Sequence, residues 1–314
     1  MVLIHGQEDK VPDPKVPTPT HENPNSQPFV PPTRTSMFEA IHSARYERQQ
    51  TIRLLDEKAG RHLICYVSGR HTHIHRDDIV FFADLLERIP VGSQIDLLLH
   101  TPGGDMDTAE KMVSMIRAKA GEASFRAIVP DFAKSSGTLI AIGSDIALMS
   151  DTSELGPIDP QITVSDSSGN RISHSVQALL DAYDSYSKAL KEDPSDVASQ
   201  LMLNKLDPGT LKLCDAAKER ARQLAEKHLN RGMLQSWKGP HPYTMVAQEL
   251  LNTKKWYLHS QVIGPNDAKT IGLRVETADA NWSNYWKLYC RQRLAITDSQ
   301  KLFESHYVSH FSEN

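Results

Sequence analysis

The chain reads as an α/β protein with a mostly parallel sheet covered on both faces, and three observations predict this. Short β-rich or wholly apolar runs, HLICYVS at 62–68, QIDLLLHT at 94–101, SFRAIVP at 124–130 and DIALM at 145–149, alternate with segments of helical period. Runs apolar on both strand faces belong to the centre of a parallel sheet, where crossover helices cover both sides. Turns bearing Gly, Pro and Ser fall at the carboxyl ends of these runs, the edge where such sheets hold ligands.

In order along the chain, residues 1–35 come first and hold eight of the eighteen prolines. A proline-rich stretch with few apolar residues predicts a disordered or extended arm. Residues 36–60 open with Ser36 at a cap position and place Phe38, Ile41, Tyr46, Ile52 and Leu55 at helical spacing, so they read as an amphipathic helix. The alternating α/β region follows from Arg61, with helices expected in RDDIVFFADLLERI and MDTAEKMVSMIRAKA. Beyond about residue 172 the pattern is largely helical: Ser173–Glu192, then a long helix opened by Asp207 and Pro208, then HPYTMVAQELLNT and PNDAKTIGL. Residues 276–314 carry Trp282, Tyr285, Trp286 and Tyr289 and read as a helical tail with an aromatic face.

The totals exclude several classes. A chain of 314 residues, 39% hydrophobic and 24% charged, buries a core without staples. Its formal charge of −4 offers no basic footprint for nucleic acid. Three scattered cysteines, Cys65, Cys214 and Cys290, form no disulfide framework or zinc ribbon and fit a reducing compartment. No apolar window is long enough to span a bilayer and no secretory leader is readable, so a cytoplasmic location is expected.

Two turns carry chemistry. HTPGGDMDT at 100–108 joins a buried strand to a helix through Gly103 and Gly104. Paired glycines let backbone amides approach a ligand, and amides at a helix start favour negative charge. An oxyanion hole needs that combination, although a tight strand-to-helix turn needs no more. AKSSGTLIA at 133–141 lies one βα unit on, at the same sheet edge. Its serines, Ser135 and Ser136, suit a helix cap or a nucleophile equally well on local chemistry. The loop SDTSELGPIDPQI at 150–162 is a connector or an extended segment able to pair with a peptide. HTHIH places His71, His73 and His75 on one face of an extended segment, but exposed polar residues are ordinary in such a connection and no metal is assigned. Glu110, Lys111 and the Lys/Glu pairs of 216–228 read as solvated helix faces.

Together, LLLHTPGGDMDTAEKM, AKSSGTLIAIGSDIALMSDTSELGPIDPQI and, more weakly, WYLHSQVIGPNDAKTIGL resemble the Clp-protease/crotonase superfamily. Within it the chain is most similar to signal-peptide-peptidase-A-like serine proteases of the serine dehydrogenase proteinase group, over roughly Arg61–Val275. The resemblance implies a Clp/crotonase-type βαβ spiral domain over 61–275 and a serine endopeptidase acting on peptide or unfolded protein. It makes Ser135 the nucleophile, with the amides of Ser136 and of Gly103 or Gly104 as oxyanion hole. It also implies a homo-oligomer, a trimer or a multiple, and calls for no cofactor.

Two positions depart from the pattern. Lys134 stands where a small residue commonly precedes the nucleophile, and Ile158-Asp159-Pro160 stands where Clp proteases carry the triad histidine. With no histidine in that loop, the signal-peptide-peptidase branch supplies the expectation of a Ser-Lys dyad with Lys188 as base. Lys191 and His174 are its rivals, and His259 is expected to pack or hydrogen-bond. A lysine serves as base only where burial or a neighbouring cation lowers its pKa. Two other readings of the scaffold stay open, a crotonase-like acyl-CoA thioester enzyme and a non-catalytic oligomeric scaffold.

Overall fold

The structure is a computed structural model describing residues 35–165, 171–236, 242–256, 258–278 and 280–313. The expected proline-rich arm lies outside the described residues except for Thr35. Met1–His42 and Ser43–Asn314 are separate compact units. Of the first, only the opening turns of α1 are described; the sheet belongs to the second.

The chain runs α1 (Ser36–Ala59), β1 (His62–Ser68), α2 (Asp78–Glu87), β2 (Ile95–His100), α3 (Met106–Ala120), β3 (Phe125–Ile128) and β4 (Phe132–Ala133). Next come α4 (Ser136–Ile142), β5 (Ile146–Met149), β6 (Glu154–Leu155), β7 (Gln161–Ser165), β8 (Arg171–Ser175) and α5 (Val176–Glu192). The remainder is α6 (Val197–Leu203), α7 (Pro208–Arg231), α8 (Tyr243–Leu250), α9 (Pro265–Thr270), β9 (Val275–Thr277), α10 (Trp282–Ala295), β10 (Gln300–Glu304) and β11 (Ser309–Glu313).

Seven strands form the main sheet in the order β11-β10-β1-β2-β3-β5-β9. The run from β1 to β9 is parallel, while β10 and β11 add antiparallel at the β1 edge. Strand alternation sends residues to two cores. Tyr66, Leu97, Leu99, Ala127 and Phe303 face the larger, under α2, α3, α4, α7 and α8. Cys65, Val67, Leu98, Ile128 and Leu302 face the smaller, closed by Ile52 and Leu55 of α1 and by Tyr285, Leu288 and Tyr289 of α10. Each fully buried Leu or Ile contributes about 1.5–3 kcal/mol, so both layers hold the sheet.

The sheet is the mostly parallel, two-sided one expected, and Asp207 and Pro208 open α7 as read: the Asp207 carboxylate accepts from the Thr210 amide at 2.6 Å. Three local readings change. The first residues of the expected 173–192 helix are strand β8, which pairs with β7 in a hairpin, and the true N-cap is Ser175, accepting from the Ala178 amide. In the tail, α10 is the expected aromatic helix, but β10 and β11 follow it and join the sheet. Glu110 is not a free solvated residue, since Arg220 and Lys227 of α7 close on it at 2.6 and 2.5 Å and clamp α7 to α3. Among the described residues, no helix is long and apolar enough to cross a membrane.

Candidate active site

The two turns singled out in the sequence meet at the carboxyl edge of the sheet. Gly103 has φ 105° and Gly104 φ 144°, backbone that glycine adopts readily. A Cβ on Gly103 would lie 2.9 Å from the Ser135 Cβ and 2.8 Å from the Lys134 carbonyl oxygen, so the serine turn needs a glycine beneath it. Around Gly104, the Ile74 amide donates to the Gly103 carbonyl at 2.7 Å and the Asp105 amide donates to the Ile74 carbonyl at 2.9 Å. The Asp105 side chain then caps α3 by accepting from the Thr108 amide at 2.7 Å.

Ser135 links β4 to α4 at φ 51° and ψ −115°, and it alone among the described non-glycine residues has positive φ. Strain of that kind costs about 1–3 kcal/mol and persists where the surroundings impose it. Neither serine side chain caps α4. Ser135 sits at the cap position with no side-chain cap bond, while the Ser136 hydroxyl donates to the Gly104 carbonyl at 2.6 Å. Ser136 thereby fastens the glycine turn to the serine turn, and the half-buried Ser135 side chain faces the cavity.

The backbone donors divide unequally. The Gly103 amide is committed to the Thr101 hydroxyl at 3.1 Å. The amides of Gly104 and Ser136 have no partner among the described residues. Of the two glycines offered by the sequence, Gly104 therefore has the available donor and Gly103 supplies the close approach.

The cavity in front of Ser135 holds about 870 Å³. Pro102, Gly104, Met106 and Phe132 line it from the sheet edge, Gln161, Thr163 and Ser173 from the β7–β8 hairpin, and His73 and His259 complete the wall. Burial and the charge of Lys301 hold His73 below the ordinary histidine pKa.

His259 brings with it a carboxylate that sequence reasoning left without a role. Its Nδ1 lies 3.7 Å from Asp159 Oδ2, and the Asp159 side chain is almost fully buried. The Asp159 carboxylate accepts from Ser175 Oγ at 3.0 Å and from Gln161 Nε2 at 2.8 Å. The hairpin thus fixes Asp159, and the Gln161 amide also stands 3.4 Å from His259 Nδ1. A clue did exist: Ile158-Asp159-Pro160 carries an acid where a histidine was sought, with His259 a hundred residues on.

Lys188, expected as the base, lies away from the cavity lining. It sits on α5 with its side chain 78% exposed and its Nζ 3.9 Å from Glu192 of the next turn. The β7–β8 hairpin takes up the first residues of the expected helix, and α5, which follows it, packs on α6 and α7. Lys191 is exposed. His174 alternates with Ser173 on β8, so only Ser173 reaches the cavity.

Residues 42–293 match the ClpP-like SDH-type serine proteinases, and the chain belongs to that family. Two curated relatives come from Methanocaldococcus jannaschii. The uncharacterized protein MJ0137 is 31% identical over 188 residues, 60% of this chain and 55% of that one. The uncharacterized protein MJ1495 is 27% identical over 188 residues, 60% and 54% of the two chains. The chain therefore spans about half the length of the curated relatives it matches. Among solved structures, an alanine mutant of the 1510-N membrane-bound stomatin-specific protease is 16% identical with a TM-score of 0.39, covering 67% of this chain and 77% of that one. ClpP1 from Listeria monocytogenes is 9% identical with a TM-score of 0.37, covering 77% and 99%.

Proposed function

We propose that the protein is a serine peptidase in which Ser135 is the nucleophile, His259 the general base and Asp159 the carboxylate that orients it. The observation carrying this reading is that one cavity is lined by a strained serine and by a histidine backed by a buried, doubly hydrogen-bonded carboxylate. The base role requires the His259 tautomer that carries its proton on Nδ1, facing Asp159 across 3.7 Å, so that Nε2 is left for the Ser135 hydroxyl. Nε2 takes the hydroxyl proton as Oγ bonds to the scissile carbonyl carbon. The carbonyl electrons move to oxygen, and the amides of Gly104 and Ser136 donate to the oxyanion. Collapse expels the amine, which takes the proton from His259, and water then cleaves the acyl ester by the same steps.

The thioester-enzyme alternative asks for a free carboxylate in the pocket. Glu154 and Asp105 line the cavity, but Glu154 Oε2 is held 3.0 Å from Lys134 Nζ and the Asp105 carboxylate is engaged by the Thr108 amide. The non-catalytic scaffold alternative offers no use for strain at Ser135. Peptide or unfolded protein in a cavity of this volume is the substrate class, and a cytoplasmic homo-oligomer is the form in which we expect the chain to act. A fluorophosphonate probe should form one covalent adduct, mapped to the Ser135 peptide, and the wild type should degrade fluorescein-labelled casein. Both signals should vanish in Ser135→Ala. An adduct that survives this substitution would overturn the proposal.

A further inference from the structure

Lys134 is the residue that neither the fold nor the proposed triad uses. It precedes Ser135 directly, yet its side chain leaves the serine turn and its Nζ donates to the Leu155 carbonyl at 3.1 Å and the Gln261 carbonyl at 3.2 Å. The third partner is the Glu154 carboxylate, 3.0 Å away. An ammonium has three protons to donate, and here all three have acceptors. With only 12% of the side chain exposed, the cation is fixed in the wall rather than waving into the cavity.

The partners define the role. Gln261 lies two residues beyond His259, and Leu155 four before Asp159. Leu155 and Ile263 are themselves paired, exchanging two backbone hydrogen bonds of 3.0 Å each. Lys134 is therefore a side-chain tie from the nucleophile's turn to both segments that carry the other two triad members. The chain makes room for its stem at Gly156, where an added Cβ would stand 2.7 Å from Lys134 Cδ.

We propose that Lys134 is a positioning residue that holds the His259 segment in register with Ser135. This rests on the triad reading above. The residue touches no reacting atom, and its ammonium, saturated by three acceptors, is not the base.

The test is a double-mutant cycle read by the rate of fluorophosphonate labelling. Displacing reacting groups by about 1 Å costs on the order of a hundredfold. Lys134→Met should therefore slow the covalent step by about tenfold to a hundredfold with the probe's binding constant unchanged. The same substitution should have no effect in a His259→Ala background. Gly156→Ala, which displaces the stem and keeps the charge, should reproduce the slowing and serves if Lys134→Met does not fold.

Equal slowing in both backgrounds would overturn the proposal, since Lys134 would then act on the serine turn alone. So would an unchanged rate in folded Lys134→Met or Gly156→Ala. Loss of labelling in Lys134→Met beside near-wild-type His259→Ala would make Lys134 the base and overturn both readings. The His259→Ala single variant reports on the triad, and the coupling reports on Lys134, so the two fail separately.

Discussion

Ser135 is where this chain departs from comfortable backbone geometry, and the departure has a local cause. The Gly103 Cα beneath it, the Ser136 hydroxyl bond to Gly104 and the start of α4 leave the residue no relaxed alternative. Glycine at this position relieves the strain, whereas alanine keeps a Cβ and does not. Ser135→Gly should therefore be more stable than Ser135→Ala by about 1 kcal/mol in urea unfolding. Equal stabilities would mean that the strain is no larger than the roughly 0.5–1 kcal/mol of backbone entropy that glycine loses on folding.

At the scale of elements, α4 is held from behind by α7. The His228 ring of α7 lies 3.0 Å, through Nδ1, from the Leu139 carbonyl of α4, and burial pushes its pKa down to about 4. In the unfolded chain a histidine binds its proton near pH 6.5, so between these values the unfolded state holds the extra proton. Stability from this group is complete above about pH 6.5 and is lost as pH falls towards 4. At one pKa unit per 1.36 kcal/mol, His228 should account for about 2–3 kcal/mol of the stability lost between about pH 7 and about pH 4.5. Urea unfolding of His228→Gln should show that loss reduced by this amount, and an undiminished loss would contradict the assignment. The parallel strands and crossover helices were legible in the sequence because long apolar runs admit few alternatives. The β7–β8 hairpin was not, because Ser173 and Ser175 are equally plausible caps and only tertiary pairing decides between them. Strand β10 was also hidden. It buries Lys301, whose Nζ lies 2.6 Å from Asp78 with neither side chain exposed, so a charged residue stands where a strand pattern asks for an apolar one.

Across the whole molecule, the sheet edge brings together residues that no local pattern connects. The glycine and serine turns were readable because each lies between a strand and a helix in one βα unit. Asp159 and His259 were not, because their proximity depends on a hairpin, on the helices α5 to α8 between them and on the Leu155–Ile263 pairing. Lys188 illustrates the converse: its distance along the chain matched a family spacing, yet α5 turns it to solvent. If His259, and not Lys188, activates Ser135, the two residues differ sharply in what their removal does to the nucleophile. The deciding quantity is the rate of fluorophosphonate labelling at the Ser135 peptide in wild type, His259→Ala and Lys188→Ala. Loss of a triad histidine costs on the order of 10⁶-fold in the chemical step, so His259→Ala should label slower by several orders of magnitude and Lys188→Ala at the wild-type rate. A folded His259→Ala that labels like wild type, or a Lys188→Ala that does not label, would refute the assignment of His259 as base.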